Sequence, residues 1–165
     1  MIWALIIIVG FILDRLTKFW VLDSLVNRPI TVIDNFFYFR YLQNKGAAFS
    51  IFQGKTIFLI TLTFIVSLVI VYIIIKYKDK FLRTSLSIIV AGALGNLFDR
   101  IFRGGNVIDF IEFHFGSYVF PIFNIADILV VSGSILLVIY VLFIYKEEKK
   151  VGTAEKEQIS DDTDK

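Results

Sequence analysis

Four apolar stretches, each about the length needed to cross a bilayer core, constrain this chain more than any other feature. They are expected as helices at about 2–26, 56–75, 84–102 and 122–145, the third being the shortest. The chain is 57% hydrophobic and 19% charged. A soluble domain of 165 residues with this composition has too few polar side chains to cover its surface. The expected fold is therefore an all-α integral membrane protein, a four-helix bundle forming one membrane domain over residues 1–146. The apolar start at Ile2 lacks a preceding basic region and a following small-residue cleavage site, so it is read as an uncleaved first helix.

Charge sets the expected orientation. Lys76, Lys78, Lys80 and Arg83 crowd the short segment between the second and third stretches, and Lys146, Lys149 and Lys150 follow the fourth. In the longer first outer loop, Arg28, Arg40, Lys45 and Lys55 are spread out, and the second holds Arg103. The positive-inside rule then places both termini in the cytoplasm. Residues 147–165 are polar, mixed in charge and without apolar periodicity, which predicts a disordered cytoplasmic tail.

The two outer loops, about 27–55 and 103–121, differ from simple linkers. The first contains FFYFRYL, in which period-two spacing puts Phe37, Phe39 and Tyr41 on one strand face and Tyr38, Arg40 and Leu42 on the other. It reads either as an aromatic belt at the interface or as a small sheet on the outer surface. The second, NVIDFIEFHF, alternates as well and is expected to add a strand. Gly46 supplies a turn before a further short apolar run. Gly104 and Gly105 let the chain leave the third helix.

Polar residues break the apolar pattern in one zone. Asp14 and Lys18 lie past the middle of the first helix, Asp14 about 18 Å from its inner end at 1.5 Å per residue. Asn96, Asp99 and Arg100 lie near the outer end of the third, and Asp109 in the second outer loop. Asn124 and Asp127 occupy the first turns of the fourth, with Asp127 about 6 to 9 Å below its outer end. All fall in the outer half of the membrane or just above it. Asp14 with Lys18, and Asn96 with Arg100, are spaced i,i+4, while Asn124 and Asp127 are i,i+3. Gly92 and Gly95 permit close helix approach.

Structural roles are open to most of these groups. Asp14 and Lys18 read as a neutralised pair or as part of a site. Asp99 reads as an interfacial anchor, and His114 as an ordinary interfacial residue. Asn96 and Asn124 are able simply to bridge helices. Arg100 has the reach to contact a lipid carbonyl or a peptide backbone. Asp127 is harder to explain structurally, because an intramembrane carboxylate with no cation in its own segment is costly.

The chemistry available is narrow. The chain has no cysteine and a single histidine, His114, which excludes disulfides and thiolate chemistry and disfavours histidine-based metal sites and Ser-His catalysis. There is no HExxH, and Ser132-Gly133-Ser134 has no histidine placed to activate it. No basic, aromatic-interleaved patch suggests nucleic acid. Two carboxylates remain, Asp109 and Asp127. Facing one another across a water, they would share a proton and hydrolyse an amide as an aspartic peptidase does.

These residues sit in stretches that resemble the lipoprotein signal peptidases (signal peptidase II). Asp14-Arg15-Leu16-Thr17-Lys18, Asn44-Lys45-Gly46-Ala47-Ala48-Phe49, Gly95-Asn96-Leu97-Phe98-Asp99-Arg100, Gly105-Asn106-Val107-Ile108-Asp109-Phe110 and Phe123-Asn124-Ile125-Ala126-Asp127 occur in the family's order. Together they cover about Asp14 to Gly133. The family usually has glutamine where Arg15 stands and glycine where Ala91 stands. The resemblance implies an intramembrane aspartic endopeptidase that removes signal peptides from diacylglyceryl-modified bacterial prolipoproteins, cleaving before the lipidated cysteine. It implies Asp109 and Asp127 as the catalytic pair, with Asp14, Lys18, Asn44, Gly46, Asn96, Arg100, Asn124 and Ala126 binding substrate or supporting the site. No metal or organic cofactor is expected. The implied partners are the prolipoprotein substrate and membrane lipids in the bacterial cell membrane; the oligomeric state stays open, a monomer being compatible with the sequence. The alternative of another class is a small transporter in which Asp14, Lys18 and Asp127 relay protons or ions. The near absence of polar groups from the inner half and of any repeat weighs against it. A structural membrane subunit with partner-binding outer loops leaves the polar cluster unexplained.

Overall fold

The computed structural model describes residues 1–46 and 54–145. Ala47, Ala48, Phe49 and the apolar run after Gly46, as well as the basic residues from Lys146 and the expected disordered tail at 147–165, lie outside the described residues. In order, the elements are helix α1 (Ile2–Ser24), strands β1 (Ile30–Ile33) and β2 (Phe37–Asn44), helices α2 (Thr56–Lys76) and α3 (Lys80–Phe102), strands β3 (Val107–Phe115) and β4 (Tyr118–Val119), and helix α4 (Ile125–Ile139). A π-helical turn, Tyr140–Ile144, closes α4.

Among the described residues, three helices are long and apolar enough to cross a membrane: α2, α3, and α4 through Ile144, with mean hydropathies of 3.0, 1.5 and 2.6. Helix α1 matches α3 at 23 residues, but carries Asp14, Arg15 and Lys18 close together. The bundle is apolar on its outside. Ile57, Phe64, Ile65, Leu68, Val131 and Leu142 are all more than half exposed, a surface suited to lipid rather than to water.

Helix α3 is the central element and packs against α1, α2 and α4. It begins at Lys80, before the expected Thr84, because the Asp79 side chain accepts the Leu82 N–H at 2.7 Å and caps the helix. The expected basic loop is thus split, with Lys76 ending α2 and Lys80 and Arg83 inside α3. Small residues let α3 approach its neighbours. A Cβ added at Gly92 would lie 2.3 Å from the Ala126 carbonyl oxygen, and one added at Gly95 would lie 2.7 Å from Asp14 Oδ2. Ala91 serves the same end, 2.8 Å from where a Cβ on Gly10 would stand. Gly104 and Gly105, with φ of 62° and 91°, turn the chain out of α3 into β3.

The outer segments form one four-stranded antiparallel sheet in the order β1-β2-β3-β4. This settles the first outer loop as a sheet rather than a belt of aromatic anchors. Phe37, Phe39 and Tyr41 pack toward the core as their spacing requires, and Arg40 and Leu42 are exposed. Phe37 stacks on Phe113 at 4.8 Å between centroids. Strand β3 is buried from Val107 to Glu112 because both its faces are covered. His114, expected as an ordinary interfacial residue, has its ring nitrogen 2.5 Å from Glu112 Oε1 and its ring 4.7 Å from that of Tyr38. Helix α4 starts at Ile125 rather than Ile122, since Phe123 is still paired with Ile111 of β3 and Asn124 is the cap.

Two apolar clusters sit along the bundle. Val21, Leu25, Ile108, Phe110 and Ile111 join the C-terminal end of α1 to the sheet, while Ile74, Leu86 and Val90 pack with Trp3 and Ile7 at the other end. The polar zone lies between them along α1. Replacing Gly92 with alanine would drive a methyl into the α4 backbone. Gly92→Ala is expected to lose about 3 kcal/mol of stability, read as a lowered thermal unfolding midpoint in detergent.

Candidate active site

The polar zone is built around a carboxylate deep inside the protein. Asp99, on α3, is fully buried. Its Oδ2 receives Lys18 Nζ at 2.7 Å and the Ile108 N–H at 3.3 Å. Its Oδ1 receives Arg15 Nη1 at 2.7 Å and Arg103 Nε at 3.0 Å. The interfacial-anchor reading of Asp99 is therefore corrected, because every acceptor site is taken by a buried or half-buried donor from α1, α3 or β3. The i,i+4 spacing of Asp99 and Arg103 was the one local sign of this network. Arg15 completes it by pairing with Asp14, donating to the Gly95 carbonyl at 2.9 Å and lying 4.7 Å over the Phe98 ring.

Asp14 is also fully buried. It pairs with Lys18 at 3.1 Å, as the i,i+4 spacing predicts. Its Oδ1 accepts the Ala126 N–H at 3.1 Å. That N–H is one of the backbone donors left open at the start of α4, so a side chain on α1 caps a different helix. Ala126 is wholly buried, with its Cβ 3.1 Å from where a Cβ on Gly95 would be. A larger residue does not fit there.

The first turn of α4 closes on itself as well. The Asn124 side chain accepts the Asp127 N–H at 3.0 Å, and Asp127 Oδ2 accepts the Asn124 N–H at 3.1 Å. This reciprocal cap fixes both side chains. With its Oδ1 committed, Asn124 turns its amide nitrogen outward. Nδ2 donates to Asp109 Oδ1 at 2.6 Å and to Asn96 Oδ1 at 3.1 Å. Asn96 Nδ2 donates to Asp127 Oδ1 at 2.8 Å.

Asp109 reaches this cluster from β3, and β2 supplies its other partner. Asn44 Nδ2 donates to Asp109 Oδ2 at 2.9 Å. A bulge between Phe39 and Leu42 makes that possible, since it shifts the register by one residue. Without it, Asn44 would share the face of Tyr38 and Arg40, and with it Asn44 shares the face of Asp109. Among the described residues, each of the four carboxylate oxygens of Asp109 and Asp127 receives one N–H donor. The two carboxylates are bridged by Asn124 and Asn96, in a setting where both are largely shut off from water.

Asn44 Oδ1 accepts the Gly46 N–H at 2.9 Å, and Arg100 Nη2 donates to the Gly46 carbonyl at 3.0 Å. Arg100 Nη1 lies 3.4 Å from the Asn96 carbonyl, and its buried Nε meets no acceptor among the described residues. Arg100 thus holds peptide backbone, here the chain's own. The structure brings all ten residues expected for the site into one connected hydrogen-bonded and packed cluster. It adds Arg15, Asp99, Arg103 and the Ile108 N–H.

Burial raises the Asp109 carboxyl to about 7, and repulsion from the Asp127 carboxylate adds to it. The donors Asn44 and Asn124 offset part of this rise. Asp109 therefore keeps its proton into the neutral range.

Comparison with known proteins shows the family. The family model described as Signal peptidase (SPase) II matches residues 6–143. The chain is similar to the lipoprotein signal peptidase of Clostridium novyi (strain NT), with 53% identity over 143 residues, covering 84% of this chain and 96% of that one. It is similar to the lipoprotein signal peptidase of Clostridium tetani (strain Massachusetts / E88), with 49% identity over 84% of this chain and 90% of that one. A solved structure described as a bacterial membrane enzyme, obtained by the in meso method at 2.3 Å resolution, superposes with a TM-score of 0.77 at 36% identity, covering 85% of this chain and 87% of that one.

A carboxyl raised in the folded state contributes stability below its unfolded value near 3.8, and that contribution is lost as pH rises through about 7. Asp109→Asn removes the charge that causes the loss. At pH 8 it is expected to raise the thermal unfolding midpoint by at least about 2 °C, with a smaller change at pH 5, in a paired unfolding measurement at the two pH values.

Proposed function

Since this chain belongs to the signal peptidase II family, a family of proteases, we propose that it is an intramembrane aspartic endopeptidase. Its substrate is a diacylglyceryl-modified bacterial prolipoprotein, cut on the N-terminal side of the lipidated cysteine. The observation that carries this is the bridging of Asp109 and Asp127 through Asn124, which donates its side-chain amide to the Asp109 carboxylate and its backbone N–H to the Asp127 carboxylate, while accepting the Asp127 backbone N–H.

The two carboxyls hold one proton between them, because two buried like charges cannot both ionise easily. The ionised partner takes a proton from a water as its oxygen attacks the scissile carbonyl. The protonated partner donates a hydrogen bond to the carbonyl oxygen, and a tetrahedral gem-diol forms. As the diol collapses, the C–N bond breaks and a proton passes to the leaving nitrogen. The products are a carboxyl terminus on the signal peptide and a new amino terminus on the lipidated cysteine. The pair is left with one proton again, and no covalent enzyme intermediate is needed.

Helix α1 serves as a fourth span in this reading. Its intramembrane charges are satisfied by Asp99, Asn96 and backbone groups rather than exposed to lipid. Both termini lie in the cytoplasm, following the basic residues from Lys76 to Arg83. The sheet then stands on the outer side, next to the dyad. A signal helix lies in the bilayer with its lipidated cysteine near that surface, so its scissile bond and the dyad are at matching height while the acyl chains stay in lipid. Arg100, already a donor to backbone carbonyl oxygen, holds the substrate peptide or its lipid carbonyls.

The test is cleavage of a diacylglyceryl-modified prolipoprotein in detergent micelles. Asp109→Asn and Asp127→Asn, each folded as the wild type is, are expected to lose at least about 1,000-fold in rate. Robust cleavage by either removes the dyad. Arg100→Ala is expected to raise KM by about tenfold with a smaller effect on kcat, as the loss of one charge-assisted hydrogen bond would do. A loss confined to kcat would show that Arg100 acts on the transition state instead.

A further inference from the structure

Lys18 has a wholly buried ammonium, and neutralising its neighbours does not explain it. Without Lys18, Arg15 already pairs with both Asp14 and Asp99, and Arg103 pairs with Asp99 as well. A buried ammonium costs several kcal/mol in lost hydration. The third contact of Lys18 is the informative one. Besides Asp14 at 3.1 Å and Asp99 at 2.7 Å, its Nζ donates to Asn96 Oδ1 at 3.0 Å.

An ammonium donates and never accepts, so Asn96 must present its carbonyl to Lys18. Its amide nitrogen is thereby forced toward Asp127 Oδ1, 2.8 Å away. The Asn96 oxygen also accepts the Asn124 amide at 3.1 Å; with the ammonium gone, that one neutral donor is left to hold it, and an amide that turned over would place its oxygen against the Asp127 carboxylate. Asn124 has no such dependence, because the Asp127 N–H fixes its orientation. The ion pair has a second arm. Asp99 Oδ2 is shared by Lys18 and the Ile108 N–H, directly before Asp109 in β3.

We infer that Lys18 is a positioning residue for peptide cleavage. Paired with Asp99, it orients the Asn96 amide onto Asp127 and anchors the backbone that carries Asp109, so that one buried ion pair sets the separation of both carboxylates. The inference rests on the aspartic-dyad reading. It goes beyond that reading by assigning to α1 a role in the geometry of the reaction rather than in helix packing alone.

The experiment is steady-state kinetics on the lipidated substrate in micelles with Lys18→Met, Lys18→Arg, Asn96→Ala and the Lys18→Met/Asn96→Ala double variant, alongside Asp109→Asn and Asp127→Asn. Arg15 still pairs with both aspartates in Lys18→Met, which favours folding. Misplacement of a catalytic group by about 1 Å costs on the order of 100-fold, so Lys18→Met is expected to lose about that much kcat, with KM changed by less than about threefold. The double variant is expected to be within about threefold of Asn96→Ala, since residues acting as one unit are not additive. Lys18→Arg is expected to recover at least about tenfold of the loss, because it restores the charged donor. If Lys18→Met does not fold, Lys18→Gln supplies a neutral donor in the same cavity, and it should lose kcat at constant KM by at least about tenfold.

Near-wild-type kcat in folded Lys18→Met or Lys18→Gln, while Asp109→Asn and Asp127→Asn are dead, overturns the positioning role and leaves the dyad standing. So do losses that multiply in the double variant. Cleavage that survives Asp109→Asn or Asp127→Asn overturns the dyad reading itself.

Discussion

Everything around the polar zone of this bundle depends on keeping charge out of apolar surroundings. Asp14, Lys18, Asp99 and Asp109 are all at most 1% exposed. In surroundings this apolar, each unpaired ion would cost several kcal/mol. The stable arrangement is one in which both oxygens of Asp14, Asp99 and Asp109 and the Lys18 ammonium meet partners. That requirement determines which faces of α1 and α3 meet, how far α3 extends before the chain turns at Gly104 and Gly105, and where β3 must start so that the Ile108 N–H reaches Asp99. The apolar packing follows from the same contacts. Gly92, Gly95 and Ala126 are small because the ion network and the α4 cap require the helices to lie this close.

The same saturation distinguishes the two functional classes open to such a chain. A relay that moves protons or ions needs groups that change partners easily and a path continuing to the other side. Here Asp14, Lys18 and Asp99 are locked by charge on several sides. The dyad is held differently. Its partners are neutral amides and one backbone N–H, which orient the carboxylates without fixing their charge. Neutral donors tolerate either protonation state, which is what the proposed sharing of a proton between the two acids requires. Lys18 is kept one residue away, behind Asn96.

Much of this was legible in the sequence, and the missing parts share a cause. Apolar runs expose the helices directly, and the helix-spaced pairs placed Asp14 with Lys18 and Asn124 with Asp127 before any coordinates. Helix ends were less legible, because they depend on single caps. Asp79 extends α3 through a run of charges that looks like a loop, and Asn124 delays α4 by keeping Phe123 in the sheet. Asp99 was misread because its decisive partners, Arg15 and Lys18, are more than eighty residues away in the chain. The strand faces before Tyr41 followed from alternation, while the bulge that turns Asn44 toward Asp109 leaves no local mark.

That bulge shows how the fold makes the site from elements with separate duties. Alternation along β2 serves burial as far as Tyr41, where aromatic side chains must face the core. Beyond it, the strand has to deliver an amide to Asp109 from the opposite parity. A single inserted residue achieves this without disturbing the pairing of β2 with β3 on either side. Asn44 then connects forward to Gly46, whose carbonyl is held by Arg100 of α3. Strand, turn and helix are thereby joined through one asparagine, and any displacement of the Asn44–Gly46 corner changes the donor at Asp109 and the position of Arg100 together. Carboxylate and guanidinium are thus set by the same corner, which makes the sheet part of the frame around the candidate site.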